Sequence, residues 1–421
     1  MRPVVEQHRY DVFSVNDHLV MPPDAFTSRM PAAFRDRAPK VVEGAGADGR
    51  AFLALKQLAT EDLEAVGIQG VAEALDAPKG DAWVFDGKTF PTSTSSILRS
   101  WKGIDFRHIG SFRYADLEPR FYDAKARLAD LDQDGVLVSA CLPLVDFPSY
   151  AGQYFVMGPD KELAHAAVVA YNDFVLDEWC AAAPDRYLPV IVIPMWDQQA
   201  SAAEIRRVGA LGARAITFPD DPAKLGLPSI HDRAWDPVFR AAVEEGMPLI
   251  THVGSSTWLP PMAPQITMAA GFAIAGALTP IAFFDWVFSD VFERHPDLQV
   301  VLAEGNAGWL PWGLWRADYV WERHSGWGGR KNPRPPSETF ATNLWGTMFP
   351  FEDTAPAAIE KLGPERFLVE TDYPHPDMSY PDTAAMLAQT FSGLDDEALD
   401  RILRSNARAL FRFEGPSRLG R

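Results

Sequence analysis

Runs of Val, Ile and Leu recur along this chain, each separated from the next by a helix-length stretch. Eight are visible: Val12–Val20, Val136–Pro143, Tyr187–Pro194, Ala213–Pro219, Met247–Val253, Leu298–Gly305, Thr342–Phe349 and Arg366–Asp372. Their apolar character is continuous rather than alternating, as in strands covered on both faces. Between them lie amphipathic stretches such as Lys161–Ala183, Ala202–Leu211, Trp235–Glu245 and Thr354–Leu362, each long enough to cross back over a parallel sheet. Eight strands with intervening helices predict an α/β chain closed into a (β/α)8 barrel.

One interval departs from the rhythm, since roughly 110 residues separate the first strand from the second. Turn-rich, charged text fills it, with one expected helix from Arg50 to Val66. The organisation predicted is a single domain over residues 1–421, with about 25–130 forming a cap or insertion after strand one. No repeat of 20 to 50 residues is visible.

Charge narrows the partners. Lys plus Arg total 39 against 57 for Asp plus Glu, a net −18 whose field repels phosphate backbones and anionic lipid. Nucleic acid and membrane surfaces are therefore poor expectations, and a small-molecule ligand is the better one. Two cysteines, Cys141 and Cys180, build neither a disulfide framework nor a four-thiolate zinc site. With no secretory pattern at the N-terminus, a cytoplasmic location is expected. Residues Ser255 to Phe284 carry no charge and imitate a membrane span, but Pro260, Pro261, Pro264 and Pro280 interrupt them. A buried or pocket-lining loop and helix is the expectation there.

In a barrel of this kind the chemistry sits at the C-terminal ends of the strands. Strand one ends in Asp17-His18, strand five in Thr251-His252, strand six in Glu304, and strand eight in Glu370-Thr371-Asp372, followed by Tyr373-Pro374-His375. Closure brings these four ends to one mouth. Two imidazoles with two carboxylates are the donor set of a divalent-metal site. Each residue has a plainer use when taken singly: a hydrogen-bonded histidine, a helix cap at Glu304, or a turn at Asp372.

The texts SVNDHLVMPPDAFTSRMP, RLADLDQDGV, YNDFVLDEWC, LPVIVIPMWD, PLITHVGSS, VVLAEGNAGWLPW and FLVETDYPHPD resemble, in order and over nearly the whole chain, the amidohydrolase-related family that contains aminocarboxymuconate-semialdehyde decarboxylase. That resemblance implies a TIM-barrel metal enzyme, typically oligomeric, performing hydrolysis or non-oxidative decarboxylation of small carboxylated or aromatic compounds. It implies His18, His252 and Asp372 as ligands of one divalent metal, zinc first, with manganese or iron as alternatives, and Glu304 as a further ligand or base. The family's strand-one motif supplies a second ligand as His-x-His or His-x-x-Glu, and the latter position holds Met21, a soft and uncharged donor.

From these roles follow Glu304, Asp372 and His375 as candidate catalytic groups. Glu304 moves a proton, and His375 orients Asp372. The metal acts on a bound water or on a bound substrate carboxylate. Candidate substrate contacts are Arg113, whose guanidinium suits a carboxylate or a surface salt bridge equally, and Trp258 and Trp309, as pocket wall or core. Two other functions remain open at this stage. One is a non-heme iron or manganese oxygenase on the same barrel. The other is a non-catalytic subunit, disarmed at Met21, that partners an active relative. A homo-oligomer is expected, or a hetero-oligomer with a related chain.

Overall fold

The computed structural model describes residues 8–46, 79–92, 112–144, 146–256, 268–324, 326–328 and 331–419. Strand β1 (Val12–Leu19) is followed by β2 (Lys40–Val42), β3 (Ala82–Phe85) and β4 (Lys88–Pro91), which form a small antiparallel sheet in that order. The main sheet then continues with β5 (Val136–Pro143), β6 (Tyr187–Leu188), β7 (Val190–Ile191), β8 (Ala215–Pro219), β9 (Leu249–His252), β10 (Val300–Ala303), β11 (Leu344–Met348) and β12 (Phe367–Val369). Its order is β6-β5-β1-β12-β11-β10-β9-β8-β7, with every pairing parallel.

The two outermost members of that order, β6 and β7, are separated in the chain only by Pro189. They are halves of one strand, so the sheet closes on itself. Proline has no N–H to give the ladder, and the predicted continuous strand Tyr187–Pro194 is accordingly broken there. The Pro189 carbonyl still accepts from the backbone of Arg214 and Ala215. All eight predicted strands are present and the fold is the (β/α)8 barrel. The expected helix Arg50–Val66 lies outside the described residues. Part of the uncharged stretch forms helices Met268–Ala275 and Leu278–Phe288. Among the described residues no helix is long and apolar enough to cross a membrane.

Strand side chains divide between two apolar layers. Val12, Val136, Ile216, Leu249, Val300 and Val369 belong to the large cluster under the outer helices. Val15, Ala140, Val190, Ala215, Ile250 and Val301 fill the lumen. This two-sided burial is why the strands read as continuous hydrophobic runs.

The end of β1 is fastened from outside by a buried arginine. Helix Ala124–Asp134 starts at Asp123, whose carboxylate accepts from Lys125 and Ala126 N–H, and ends at Gly135 in the left-handed region (φ 86°). From this helix Arg127, fully buried, donates to the carbonyls of His18 (2.5 Å), Phe121 (2.9 Å) and Arg120 (3.0 Å). Its guanidinium also lies over the rings of Trp179 and Tyr373. Arg127→Met removes the donors and strands three carbonyls, so a loss of about 3 kcal/mol is expected. An unchanged denaturation midpoint would refute this clamp.

At the other end of the same helix Asp134 accepts from Thr383 N (3.1 Å) and from the Thr383 hydroxyl. Burial outweighs these bonds and pushes its carboxyl from 3.8 up to about 7. The folded state thus binds this proton more tightly than the unfolded chain does. Its contribution to stability is greatest below about pH 4, falls as pH rises to about 7, and is level above that. Asp134→Asn is expected to flatten part of that fall in a series of urea titrations from pH 4 to 8. Parallel curves for the two proteins would contradict the assignment.

Candidate metal centre

Four side chains from four strand ends converge at the barrel mouth. His18 is on β1, His252 closes β9, Glu304 follows β10, and Asp372 follows β12 by three residues. His18 Nε2 lies 3.1 Å from Asp372 Oδ1, and His252 Nε2 lies 2.7 Å from Glu304 Oε2. The two imidazole centroids are 5.2 Å apart. His18, His252 and Asp372 are fully buried, and Glu304 nearly so.

The far side of each imidazole fixes what the near side can do. His18 Nδ1 is 3.2 Å from the Pro143 carbonyl and His252 Nδ1 is 2.6 Å from the Val253 carbonyl. A carbonyl only accepts, so each Nδ1 carries the hydrogen and each Nε2 turns its lone pair inward. Despite their closeness, His18 Nε2, His252 Nε2, Glu304 Oε2 and Asp372 Oδ1 have no aligned hydrogen-bond partner. Four buried donor atoms of these types facing one another are a donor set that could hold a cation. His18, His252 and Glu304 place ligand atoms within 4.8 Å of one another, as do Glu304, Asp372 and His375. His375 differs from the others because its Nδ1 is engaged by Asp372 Oδ2 at 2.9 Å.

Electrostatics point the same way. Burial favours the uncharged His18 and lowers its pKa. For His252 burial also acts downward, but Glu304 overcomes it and the imidazole titrates above its ordinary value. Burial works against the Asp372 carboxylate, yet His375 and His18 hold it well below the usual range. At His375 burial is outweighed by Asp372 and Glu304, and the ring is pushed up to about 10. Positive charge is thus favoured at His252 and His375, while His18 is held neutral.

Two of the carboxylate-bearing residues hold a backbone conformation that side-chain-bearing residues rarely adopt, with φ of 56° at Glu304 and 57° at Asp372. Glu370 accepts from Glu304 N–H at 2.9 and 3.1 Å and from the Thr347 hydroxyl at 2.7 Å. Fully buried, its carboxyl is raised well above its ordinary value. On the other flank the loop after β5 places Tyr150 against His252, rings stacked at 4.2 Å and 19°. Ser149, Ala151 and Gly152 there all have positive φ.

The remaining predicted residues lie apart from this cluster or outside the described chain. Arg113 is half exposed and pairs with Asp116 at 2.6 Å. Trp309 donates to the Gly305 carbonyl (2.8 Å) and packs edge-on against Phe283. Trp258 falls outside the described residues. Met21 lies beyond the end of β1 in the apolar cluster under the helices.

Asn16 went unassigned from sequence, although it precedes His18 by the spacing of a His-x-His pair. Strand β1 has a bulge here: Ser14 pairs with Ser139 and Asp17 with Cys141, so β1 uses three steps where β5 uses two. Ser14 Oγ bonds Asp17 Oδ1 (3.0 Å), which puts both on one face and leaves Val15 and Asn16 for the lumen side. The Asn16 amide is fully buried, with neither its nitrogen nor its oxygen partnered.

Residues 96–413 match the amidohydrolase family model. The gamma-resorcylate decarboxylase of Rhizobium radiobacter is 26% identical over 282 residues, covering 61% of this chain and 79% of that protein. Among solved structures, the amidohydrolase map2389c from Mycobacterium avium subsp. paratuberculosis K-10 aligns with a TM-score of 0.67 at 21% identity, covering 96% of this chain and 99% of that one. A dihydroxybenzoic acid decarboxylase from Polaromonas sp. JS666, with bound manganese and the inhibitor 2-nitroresorcinol, aligns with a TM-score of 0.56 at 20% identity, covering 71% and 89%. With three quarters of its length matched by the family model, this chain belongs to the amidohydrolase family.

Proposed function

We propose that this protein is a metal-dependent, non-oxidative decarboxylase of a small hydroxylated aromatic carboxylic acid. The observation that carries the reading is the set of four buried, unpartnered donor atoms on His18, His252, Glu304 and Asp372. Support for decarboxylation, over hydrolysis or oxygen chemistry, comes from the relatives: gamma-resorcylate decarboxylase in sequence and dihydroxybenzoic acid decarboxylase in fold. His18, His252 and Asp372 would hold the ion, with Glu304 as a fourth donor and the Asn16 amide beside them. Manganese or zinc suits this oxygen and imidazole set. When bound, the ion supplies positive charge for the anionic oxygens of the substrate.

Loss of carbon dioxide from an aromatic acid requires a proton at the ring carbon that carried the carboxylate, and the bonding pair then stays with the ring. His375 is the acid for that step. Asp372 Oδ2 holds its Nδ1–H at 2.9 Å and keeps the ring charged at neutral pH, which leaves Nε2–H for delivery. Glu304 Oε1, 3.9 Å from the same Nδ1, adds to the field that retains the proton. The Tyr150 ring, stacked on His252, supplies an apolar wall and excludes water from that side.

Two outcomes are expected. Elemental analysis of protein loaded with Mn²⁺ or Zn²⁺ should give about one ion per chain, falling to nearly none in His252→Ala at unchanged circular dichroism. Full metal content in that variant would refute the ligand set. In an assay of carbon dioxide release over a panel of hydroxybenzoic acids, His375→Gln should lower kcat by about 100-fold or more while keeping its metal. If the variant turns over at the wild-type rate, His375 is not the acid.

A further inference from the structure

Behind the centre, on the outer face of the barrel wall, lies a carboxylate that touches none of the four inward-facing donors. Asp17 is fully buried. Its Oδ1 accepts from the Thr371 hydroxyl (2.6 Å), from Tyr373 N–H (3.0 Å) and from the Ser14 hydroxyl (3.0 Å), while Oδ2 accepts from the Ser139 hydroxyl (2.5 Å). Thr371 and Tyr373 are the two neighbours of Asp372. The backbones are laced at the same level, with Asp372 N–H donating to the Asn16 carbonyl (3.0 Å) and His18 N–H to the Tyr373 carbonyl (2.8 Å). One carboxylate therefore grips both flanks of Asp372 and is itself adjacent in the chain to His18.

We propose that Asp17 is a positioning residue. It holds Asp372 in its left-handed conformation and sets the spacing between Asp372 and His18, so that the ion meets ligands already in place. This rests on the reading of His18, His252, Glu304 and Asp372 as an ion-binding centre. Cost argues for a purpose beyond packing, because the four donors to Asp17 are neutral and a carboxylate buried among neutral groups is an expensive way to join three strands. What it offers over an apolar residue is acceptors that reach β5, β1 and the segment after β12 together. Groups that orient metal ligands in this way are typically worth about 10- to 100-fold in metal affinity.

The test is Mn²⁺ affinity by chelator competition on the full chain, with the melting temperature of the metal-free protein measured alongside. Asp17→Asn keeps size but turns an amide NH2 donor toward groups that need an acceptor, and should weaken Mn²⁺ binding by about 10- to 100-fold. Thr371→Val, which deletes one hydroxyl and keeps shape, should shift affinity the same way by less, and it decides the matter if Asp17→Asn does not fold. Variants that melt lower but bind Mn²⁺ as wild type does would reduce Asp17 to a structural role and overturn the proposal while leaving the centre standing. A wild-type protein that takes up neither Mn²⁺ nor Zn²⁺ would overturn the centre, and this role with it.

Discussion

Everything at the barrel mouth depends on gathering two carboxylates and two imidazoles in a space that water does not reach. Carboxylates drawn from water into such a place cost several kcal/mol each unless positive charge or donated hydrogens meet them. Here the inward oxygens of Glu304 and Asp372 lie 2.7 and 3.1 Å from Nε2 of His252 and His18, with no aligned hydrogen bond between them. A cation held by these four donors, as proposed, would supply that charge. Eight strands packed on both sides supply the rigidity that keeps these groups from relaxing apart, as a flexible loop site would.

Rigidity alone does not fix the carboxylates, because both follow the last paired residue of their strands and sit at positive φ. Such conformations persist only where surrounding bonds over-determine them. Each has a buried acid behind it. Glu370 takes the N–H of Glu304, and Asp17 takes groups on both sides of Asp372. For Asp17, burial outweighs its four hydrogen bonds and pushes the carboxyl up to about 6. The same barrel wall thus carries carboxyls of opposite tendency: Asp372, facing the mouth, is held low, and Glu370, behind it, is raised well above its ordinary value.

Strand ends were legible because a long Val/Ile/Leu run stopping at His252, or at the Glu-Thr-Asp of 370–372, is a pattern local enough to see. The break at Pro189 was equally visible in the text, but closure by two half-strands depends on pairing with residues 139–140 and 215–216. Attention to the spacing after His18 led to Met21, which leaves the strand for the apolar core. The informative direction was backward, to Asn16, two residues earlier on the same strand. Asp17 and Glu370 could not be read at all in these roles. Their partners Ser139, Thr347 and Thr371 come from distant parts of the chain and are ordinary residues until the barrel closes.

The charge of the whole chain adds a constraint on the proposed reaction. A net −18 disfavours the approach of an aromatic carboxylate. At physiological ionic strength that field is screened beyond about 8 Å, so what a substrate feels inside the mouth is local. Positive charge there comes from His375, pushed up to about 10, and the proposed ion would add to it. Recognition of an anion by so acidic a protein must then be concentrated at the mouth itself. In the proposed reaction, the groups that would hold the carboxylate and the one that would deliver the proton are neighbours around Asp372, with one oxygen toward His18 and the other bound to His375. Displacing that one side chain would disturb binding and chemistry together, which is why the bonds behind it weigh as much as those it makes into the site.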